Sequence, residues 1–422
     1  MKTIIFEPGR TLCKGGNSES LLPIVEIPSV CCIKDFEKGN NEHQISELDS
    51  INKETNNNTS THNLKSNNIS KDELKKIFLV GNEAIDHLES VNGNLIYPLH
   101  RNLVMSDWIL CELIWDQVLF ELGIKNKVEK LKSKLSTETE SELESEKQVL
   151  MVILPSSGGI LIKEKISEWL KTNYDFEQVI FVPGYLLTLY SYGKETGIVV
   201  DVGAFWTNIT PVIEGVSDDN YSLSIPIGGR SLEDYMKILL SRRGLKFSGK
   251  KHTKCIEETK DDLIVKNILS ENCFVSTNEK NTREIISCTT SYLELIQVNS
   301  NLNNNKAIFL EEERFQVTED VFFKPYKIGI ESPSICEAIL KVINKCPLDT
   351  RTLLMENIFL TGRSSLFIGL PQRIQVNLTK LFLNSKLKGD IDRLNKYKFY
   401  VHDDPMRDVS SFKGANIYLQ LI

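Results

Sequence analysis

One local design occurs twice in this chain and limits its fold more than any other feature. Thr3-Ile4-Ile5-Phe6-Glu7-Pro8-Gly9 and Ile198-Val199-Val200-Asp201-Val202-Gly203 each run through short apolar residues to an acid, one intervening residue and a glycine. Such a run suits a strand buried on both faces, as in a parallel sheet covered by helices. A carboxylate at the end of a strand can hold a cation through water, and glycine lets backbone N–H groups of a following hairpin approach a phosphate. Two such units facing each other would clamp the metal-bound phosphate tail of a nucleotide. Either one alone reads first as an ordinary strand-to-turn junction.

Two later clusters repeat the glycine signal. Ile225-Pro226-Ile227-Gly228-Gly229-Arg230-Ser231-Leu232 sets a glycine pair just before a helical pattern, and in Asn357 to Gly369 a strand-like run leads into Thr361-Gly362 and Ser364-Ser365. Glycine at a strand-to-helix junction admits a ligand against the backbone, and a helix N-terminus favours an anion.

The rest of the chain reads as alternating strand and helix, an α/β protein. Val149 to Leu154 is a second buried strand, and Ser106 to Leu122 an amphipathic helix opened by Ser/Asp. Further helices are expected at Glu164 to Leu170, Leu232 to Leu240, Asp262 to Ser270 and Ser334 to Asn344. Two stretches cannot add much to a core. Residues 39–70 are Asn/Ser/Thr-rich and read as a disordered insertion, and residues 125–148 turn from basic to acidic at Glu138, Glu140, Glu142, Glu144 and Glu146, as a solvated excursion would. Asn299 to Asn305 reads as the tip of a hairpin.

At 422 residues the chain exceeds one ordinary core, so two domains or one bilobed unit is expected. Fifty Lys+Arg against 57 Asp+Glu leave a net charge of -7, so no global positive field draws the chain to nucleic acid or anionic lipid. No apolar run approaches the roughly 20 residues of a bilayer span, and Met1 to Arg10 lacks a signal-peptide layout, which points to the cytosol or nucleus. The nine cysteines form no C-x-x-C pair and read as reduced, buried thiols, and the six histidines make no H-E-x-x-H. Metal- or triad-dependent hydrolysis loses its support.

In order and context these segments resemble the actin and actin-related protein family. Beyond the two turns, the likeness rests on Pro28-Ser29-Val30, Val80-Gly81-Asn82-Glu83-Ala84, Tyr97-Pro98-Leu99, Thr196-Gly197 before Ile198, Glu214-Gly215, Gly228-Gly229-Arg230, Asn272-Cys273-Phe274-Val275 and Arg314-Phe315. Ile328-Gly329-Ile330 and Asn357 to Arg373 extend it. The resemblance implies an actin-like two-lobed fold, two RNase H-like α/β domains around a nucleotide cleft, with disordered insertions. Residues 1–190 would form the first lobe, 191–355 the second, and 356–422 would return to the first. It also implies ATP or ADP with Mg, with Glu7 and Asp201 facing the metal through water and Lys14 reaching a phosphate. Gly9, Gly203 and Thr207 would shape the phosphate hairpins, and Gly229, Arg230 and Gly362 would lie on the adenosine side.

Departures from the family pattern alter the functional expectation. Glu7-Pro8-Gly9-Arg10-Thr11 stands where the family has an aspartate and Gly-Ser-Gly, and Pro8 removes an N–H. Ala204-Phe205 replaces Asp-Gly, Gly184 stands at the water-orienting glutamine, Asn208 at a nearby histidine, and Leu269-Ser270 at a Lys-Glu pair near the nucleotide. Glycine cannot orient a water, so efficient ATPase activity is not expected and no catalytic residue is assigned. The family's mobile filament loop falls in the Asn-rich insertion, and the sequence stops at Ile422 soon after Phe412-Lys413-Gly414-Ala415, so a truncated C-terminus and no conventional homopolymer are expected. The resemblance then implies a structural subunit beside other actin-family or scaffold proteins, without membrane or direct nucleic-acid binding. Cys346-Pro347-Leu348-Asp349-Thr350-Arg351 and Val182 to Leu189 favour the pointed-end subunit of dynactin, cytoplasmic and cytoskeletal. A nuclear chromatin-remodelling subunit is the alternative, and an actin-fold kinase or chaperone-like ATPase the remote one.

Overall fold

The structure, a computed structural model, describes residues 3–34, 75, 77–90, 95–98, 108–130, 148–156, 159–245, 247, 257–277, 295–298 and 306–421. The insertion expected at 39–70, residues 131–147 of the one at 125–148, and the hairpin tip at 299–305 lie outside them.

The repeated sequence unit is the start of a repeated sheet. β1 (Thr3–Glu7) pairs antiparallel with β2 (Leu12–Asn17), which pairs with β3 (Val25–Pro28); on its other side β1 runs parallel to β7 (Val149–Leu154), and β7 to β8 (Gln178–Pro183). The second sheet follows the same plan. β9 (Gly197–Val202) pairs antiparallel with β10 (Thr207–Ile213), itself joined to β11 (Val216–Ser217) and β12 (Leu223–Ile225), and runs parallel to β16 (Ile358–Thr361), which adjoins β17 (Val401–His402). β1 and β9 are therefore equivalent central strands, and their apolar runs are explained by burial on both faces. Ile4 and Phe6 join one core with Trp115 and Trp169, while Ile5 faces Met151, Ile153 and Phe412. Ile198, Val200 and Val202 enter the large core of the second lobe, and Val199 meets Phe359 on the other face.

Helices cover both sheets where 3.6-residue spacing places apolar residues. In lobe 1, α2 (Trp108–Glu121) and α3 (Gly159–Asn173) pack Leu113, Val118, Ile166 and Trp169 under β1 and β7. In lobe 2, α5 (Gly229–Arg242), α6 (Lys260–Asn272), α7 (Ile335–Lys345) and α8 (Leu370–Ser385) surround β9, with Met236, Ile268, Ile339 and Ile374 buried. α7 starts at a capping box in which the Ser334 hydroxyl accepts from the Glu337 N–H. The strands expected to flank the Asn-rich tip do pair, as β14 (Leu295–Val298) and β15 (Lys306–Phe309).

Among the described elements, α4 (Gly184–Ser191) and α9 (Ser410–Leu421) lie where the lobes join. α4 sends Leu187 into the lobe 1 core beside Ile5 and Phe412, and Leu189 into the cluster of Val199, Val212 and Phe359 from lobe 2. Along it lies α9, so close that a Cβ on Gly414 would sit 1.7 Å from the Leu187 carbonyl oxygen. At the outer end, β4 (Cys31–Ile33), β5 (Phe78–Val80) and β6 (Leu95–Ile96) form a small sheet beside α1 (Gly81–Ser90). β13 (Glu257–Glu258), from lobe 2, adds to it by pairing with β6. The expected return to lobe 1 at 356 needs correction. β16, α8 and β17 all belong to the second sheet and its core, because Ile358 to Thr361 is the parallel partner of Ile198 to Asp201; the chain goes back only with α9.

Candidate functional site

The two acid-bearing hairpins meet at the floor of the cleft between the sheets. In the first, Glu7 is paired in register with Lys14, and the turn is drawn in by the Gly9 N–H donating to the Glu7 carbonyl at 3.0 Å. A Cβ on Gly9 would stand 1.9 Å from the Leu12 carbonyl oxygen, so the turn requires glycine for its own backbone. The Ser29 hydroxyl donates to the Gly9 carbonyl at 2.7 Å. In the second hairpin, Asp201 faces Asn208 across the ladder, and the Gly203 N–H donates to the Trp206 carbonyl at 3.0 Å. Phe205 is buried, and Thr207, with no exposed surface, donates its hydroxyl to the Ile227 carbonyl at 2.7 Å.

The charged groups are satisfied by the protein. The Lys14 ammonium donates to the Asp408 carbonyl at 2.6 Å and lies 3.5 Å from Glu7 Oε2. That carboxylate oxygen is buried without a hydrogen bond of normal geometry, and the ion pair with Lys14 is its compensation. Glu7 Oε1 accepts from Ser411 at 3.2 Å. Asp201 Oδ2 accepts from Ser156 at 3.1 Å, a bond from the end of β7 in lobe 1 to the end of β9 in lobe 2. Burial pushes the Asp201 carboxyl above its ordinary range and the Glu7 charge adds to this, while Ser156, Arg10 and Asn208 oppose it. Burial likewise lowers the Arg10 guanidinium, and Asp201 opposes that shift.

Residues expected on the adenosine side serve packing. A Cβ on Gly228 would come within 2.7 Å of the Gly203 and Ala204 carbonyl oxygens, and one on Gly362, at φ +86°, within 2.5 Å of the Val202 carbonyl oxygen. The first helical N–H groups of α5 are taken: Gly229 donates to Gly203 at 3.0 Å and Arg230 to Ala204 at 2.7 Å. Those of Ser231 and Leu232 go to the Gly228 carbonyl. The Arg230 guanidinium turns along its own helix to Glu233 and Asp234, at 3.2 and 3.3 Å. At the position of the family's water-orienting glutamine, a Cβ on Gly184 would lie 3.3 Å from the Leu154 carbonyl oxygen, in a tight space between β7 and α9.

The structure brings Glu7, Gly9, Lys14, Asp201, Gly203, Gly229 and Gly362 to the facing hairpins, whereas Thr207 bonds beneath its hairpin and Arg230 turns to Glu233, Asp234 and, at 3.8 Å, Asp262. Sequence reasoning missed Ser156, Ser411 and the Asp408 carbonyl. Ser156 was within reach, since Pro155-Ser156-Ser157-Gly158-Gly159 follows a buried strand as the other turns do; Asp408 and Ser411 carry no local signal. The residues present fit the metal–nucleotide complex that the resemblance implies only poorly: Pro8 offers no N–H, and Glu7, Lys14 and Asp201 already have partners within the protein. The described cysteines are free and buried, with the Cys13 thiol pushed up to about 11 by burial. Among the described residues no cluster of metal-ligating side chains occurs and no helix is long and apolar enough to cross a membrane.

Two lobes built on one repeated sheet, hinged by α4 and facing each other through paired acid-bearing hairpins, define the class of two-lobed α/β proteins with a central cleft. The actin family matches residues 1–421, and the chain belongs to that family. It is a divergent actin-related protein. It is 27% identical over 347 residues to Actin-related protein 2 of Saccharomyces cerevisiae, covering 82% of this chain and 80% of that one. Actin-related protein 2 of Acanthamoeba castellanii is 28% identical over 83% and 81% of the two chains, and that of Arabidopsis thaliana 27% identical over 76% and 74%.

Proposed function

We propose that this chain is a non-catalytic actin-related protein that serves as a structural subunit of a cytoplasmic, cytoskeletal assembly containing other actin-family chains. The observation that carries this reading is Gly184 at the position of the family's water-orienting glutamine, where a Cβ would already lie 3.3 Å from the Leu154 carbonyl oxygen. A cleft arranged in this way can set the angle between two lobes but offers no turnover, and Gly184 leaves no group to direct a water. Single-turnover measurements with ATP should detect no hydrolysis; a rate on the order of 1 per second, within the usual enzyme range, would sink the reading.

The similarity to Actin-related protein 2 in three organisms supports the cytoskeletal placement. Within that reading the pointed-end subunit of dynactin remains the finer proposal, resting on Cys346 to Arg351 and Val182 to Leu189. The Arg351 guanidinium donates to the Asn344 and Cys346 carbonyls at 2.6 and 2.9 Å, closing the end of α7, and Val182, Leu187 and Leu189 are core residues. These residues serve the chain's own packing, while Leu348 beside them is 78% exposed. Affinity purification of the native protein decides: actin-family and cytoskeletal partners, dynactin components among them, support the proposal, and chromatin-remodelling ATPase subunits overturn it.

A further inference from the structure

We propose that α6 and the strand before it form a strap that lobe 2 lays across the mouth of the cleft onto lobe 1, holding the two lobes at one angle. The inference goes beyond the reading above and does not rest on it, because it concerns how the chain keeps its shape rather than what it assembles with.

The strap begins with the spacing of side chains on α6. Val265, Ile268 and Leu269 enter the core of lobe 2, whereas Leu263 packs on the small core of the outer sheet of lobe 1, a cluster that includes Cys32, Leu95 and Tyr97. Three residues on, and so on the same helix face, the Lys266 ammonium donates to the Tyr97 hydroxyl at 2.8 Å and lies 5.0 Å from the centre of its ring. One helix thus carries two stripes, one for each lobe.

The chain just before α6 continues the contact through its backbone. Glu257 and Glu258 of β13 stand opposite Ile96 and Leu95 of β6, so a sheet begun in lobe 1 takes its edge strand from lobe 2. Two residue pairs alone make a marginal ladder in water. This one is backed by the helix cap that follows it: Asp262 Oδ2 accepts from the Thr259 N–H and from the Thr259 hydroxyl, each at 2.8 Å, which sets the angle at which β13 runs into α6. Asp262 is also ion-paired to Lys237 on α5, which anchors the arm in the body of lobe 2. Strand, cap and helix therefore act as one piece.

The other bonds across the cleft restrain the lobes less. Arg363 reaches Glu26 at 3.1 Å, but both side chains are exposed, where an ion pair contributes little. Ser156 bonds to Asp201 at the floor, and a tie at the mouth resists rotation about the hinge more than an equal tie at the floor because its lever arm is longer.

The test uses the full chain under native conditions. Alkylation of Cys32 by N-ethylmaleimide, followed by mass spectrometry, reads the separation of α6 from the outer sheet, since this buried thiol lies in the cluster on which Leu263 packs. Cys111 and Cys336, buried in the cores of lobe 1 and lobe 2, report unfolding. Leu263→Ser with Lys266→Met should speed the reaction of Cys32 about tenfold or more, the mark of a local opening, and leave Cys111 and Cys336 at the parental rate. Small-angle X-ray scattering should show a larger radius of gyration for the same variant as the lobes part. Adding Ile96→Cys and Glu257→Cys, opposed in the ladder, in a Cys255→Ser background should form a disulfide on oxidation and return the radius to the parental value. If the double substitution unfolds the chain, seen as reaction of Cys111 and Cys336, Leu263→Ala alone carries the same comparison. Reaction of Cys32 in the parent as fast as a thiol in an unfolded peptide would overturn the proposal. So would a parental rate in the strap variant, or faster alkylation with no change in radius, since α6 would then cover the sheet without setting the lobe angle.

Discussion

Gly414 shows how much one residue can decide here. A Cβ at that position would stand 1.7 Å from the Leu187 carbonyl oxygen, and backbone on both sides leaves no flexible group to give way. Gly414→Ala must therefore push α9 from α4, and chemical denaturation should register a loss of about 3 kcal/mol or more. His402 offers a separate residue-scale reading. Its ring stacks on Phe359 at 4.2 Å and meets Tyr400 and Tyr192 edgewise or tilted, with Nε2 buried and without a hydrogen bond. Burial lowers its pKa below 6.5, and the Lys194 charge lowers it further. Since the folded state resists the proton, the unfolded state binds more of it below 6.5, and stability present above that pH falls as pH drops through the folded value. Comparing Tm across about pH 7.5 to 5, His402→Phe should show a shallower loss than the parent; equal slopes would refute the assignment.

At the scale of elements, α4 carries the connection between the lobes, because its opposite faces enter different cores. Leu187→Ala should destabilise the chain by about 2–5 kcal/mol as a buried leucine truncation, and in hydrogen exchange the faster amides should include β1 and α9 together. Local signals placed such elements well. The helix expected at 106–122 is described over Trp108–Glu121, and the strand at Val149 to Leu154 keeps those limits. Sheet membership was another matter: Ile358 to Thr361 is apolar in the same way whichever lobe it joins, and its place beside β9 follows from a backbone pairing across more than a hundred residues. For the same reason Arg351 looked like a family-specific mark, although its function is to cap α7 through carbonyls that sequence does not display.

For the whole molecule, closure at the mouth and closure at the floor are separable. Lys266→Met removes the bond to Tyr97 and a cation–π contact in which Lys266 lies 5.0 Å from the ring, worth roughly 0.5–2 kcal/mol at a site of this kind. Amides of β6 and β13 should exchange faster in that variant while the cores keep their protection; unchanged exchange there would mean that strand pairing alone holds the mouth. The sequence by itself determined that two strand-acid-x-Gly hairpins exist and that they lie in an α/β chain, because strand burial, turn glycine and helical spacing are properties of neighbouring residues; the actin-like fold came from the resemblance that the order of its segments carries. What the acids face was decided only by the tertiary structure. Asp201 meets Ser156, Glu7 meets Lys14 and Ser411, and α5 gives its first N–H groups to the second hairpin. A carboxylate's partner depends on which distant segment arrives beside it, and no local pattern records that arrival.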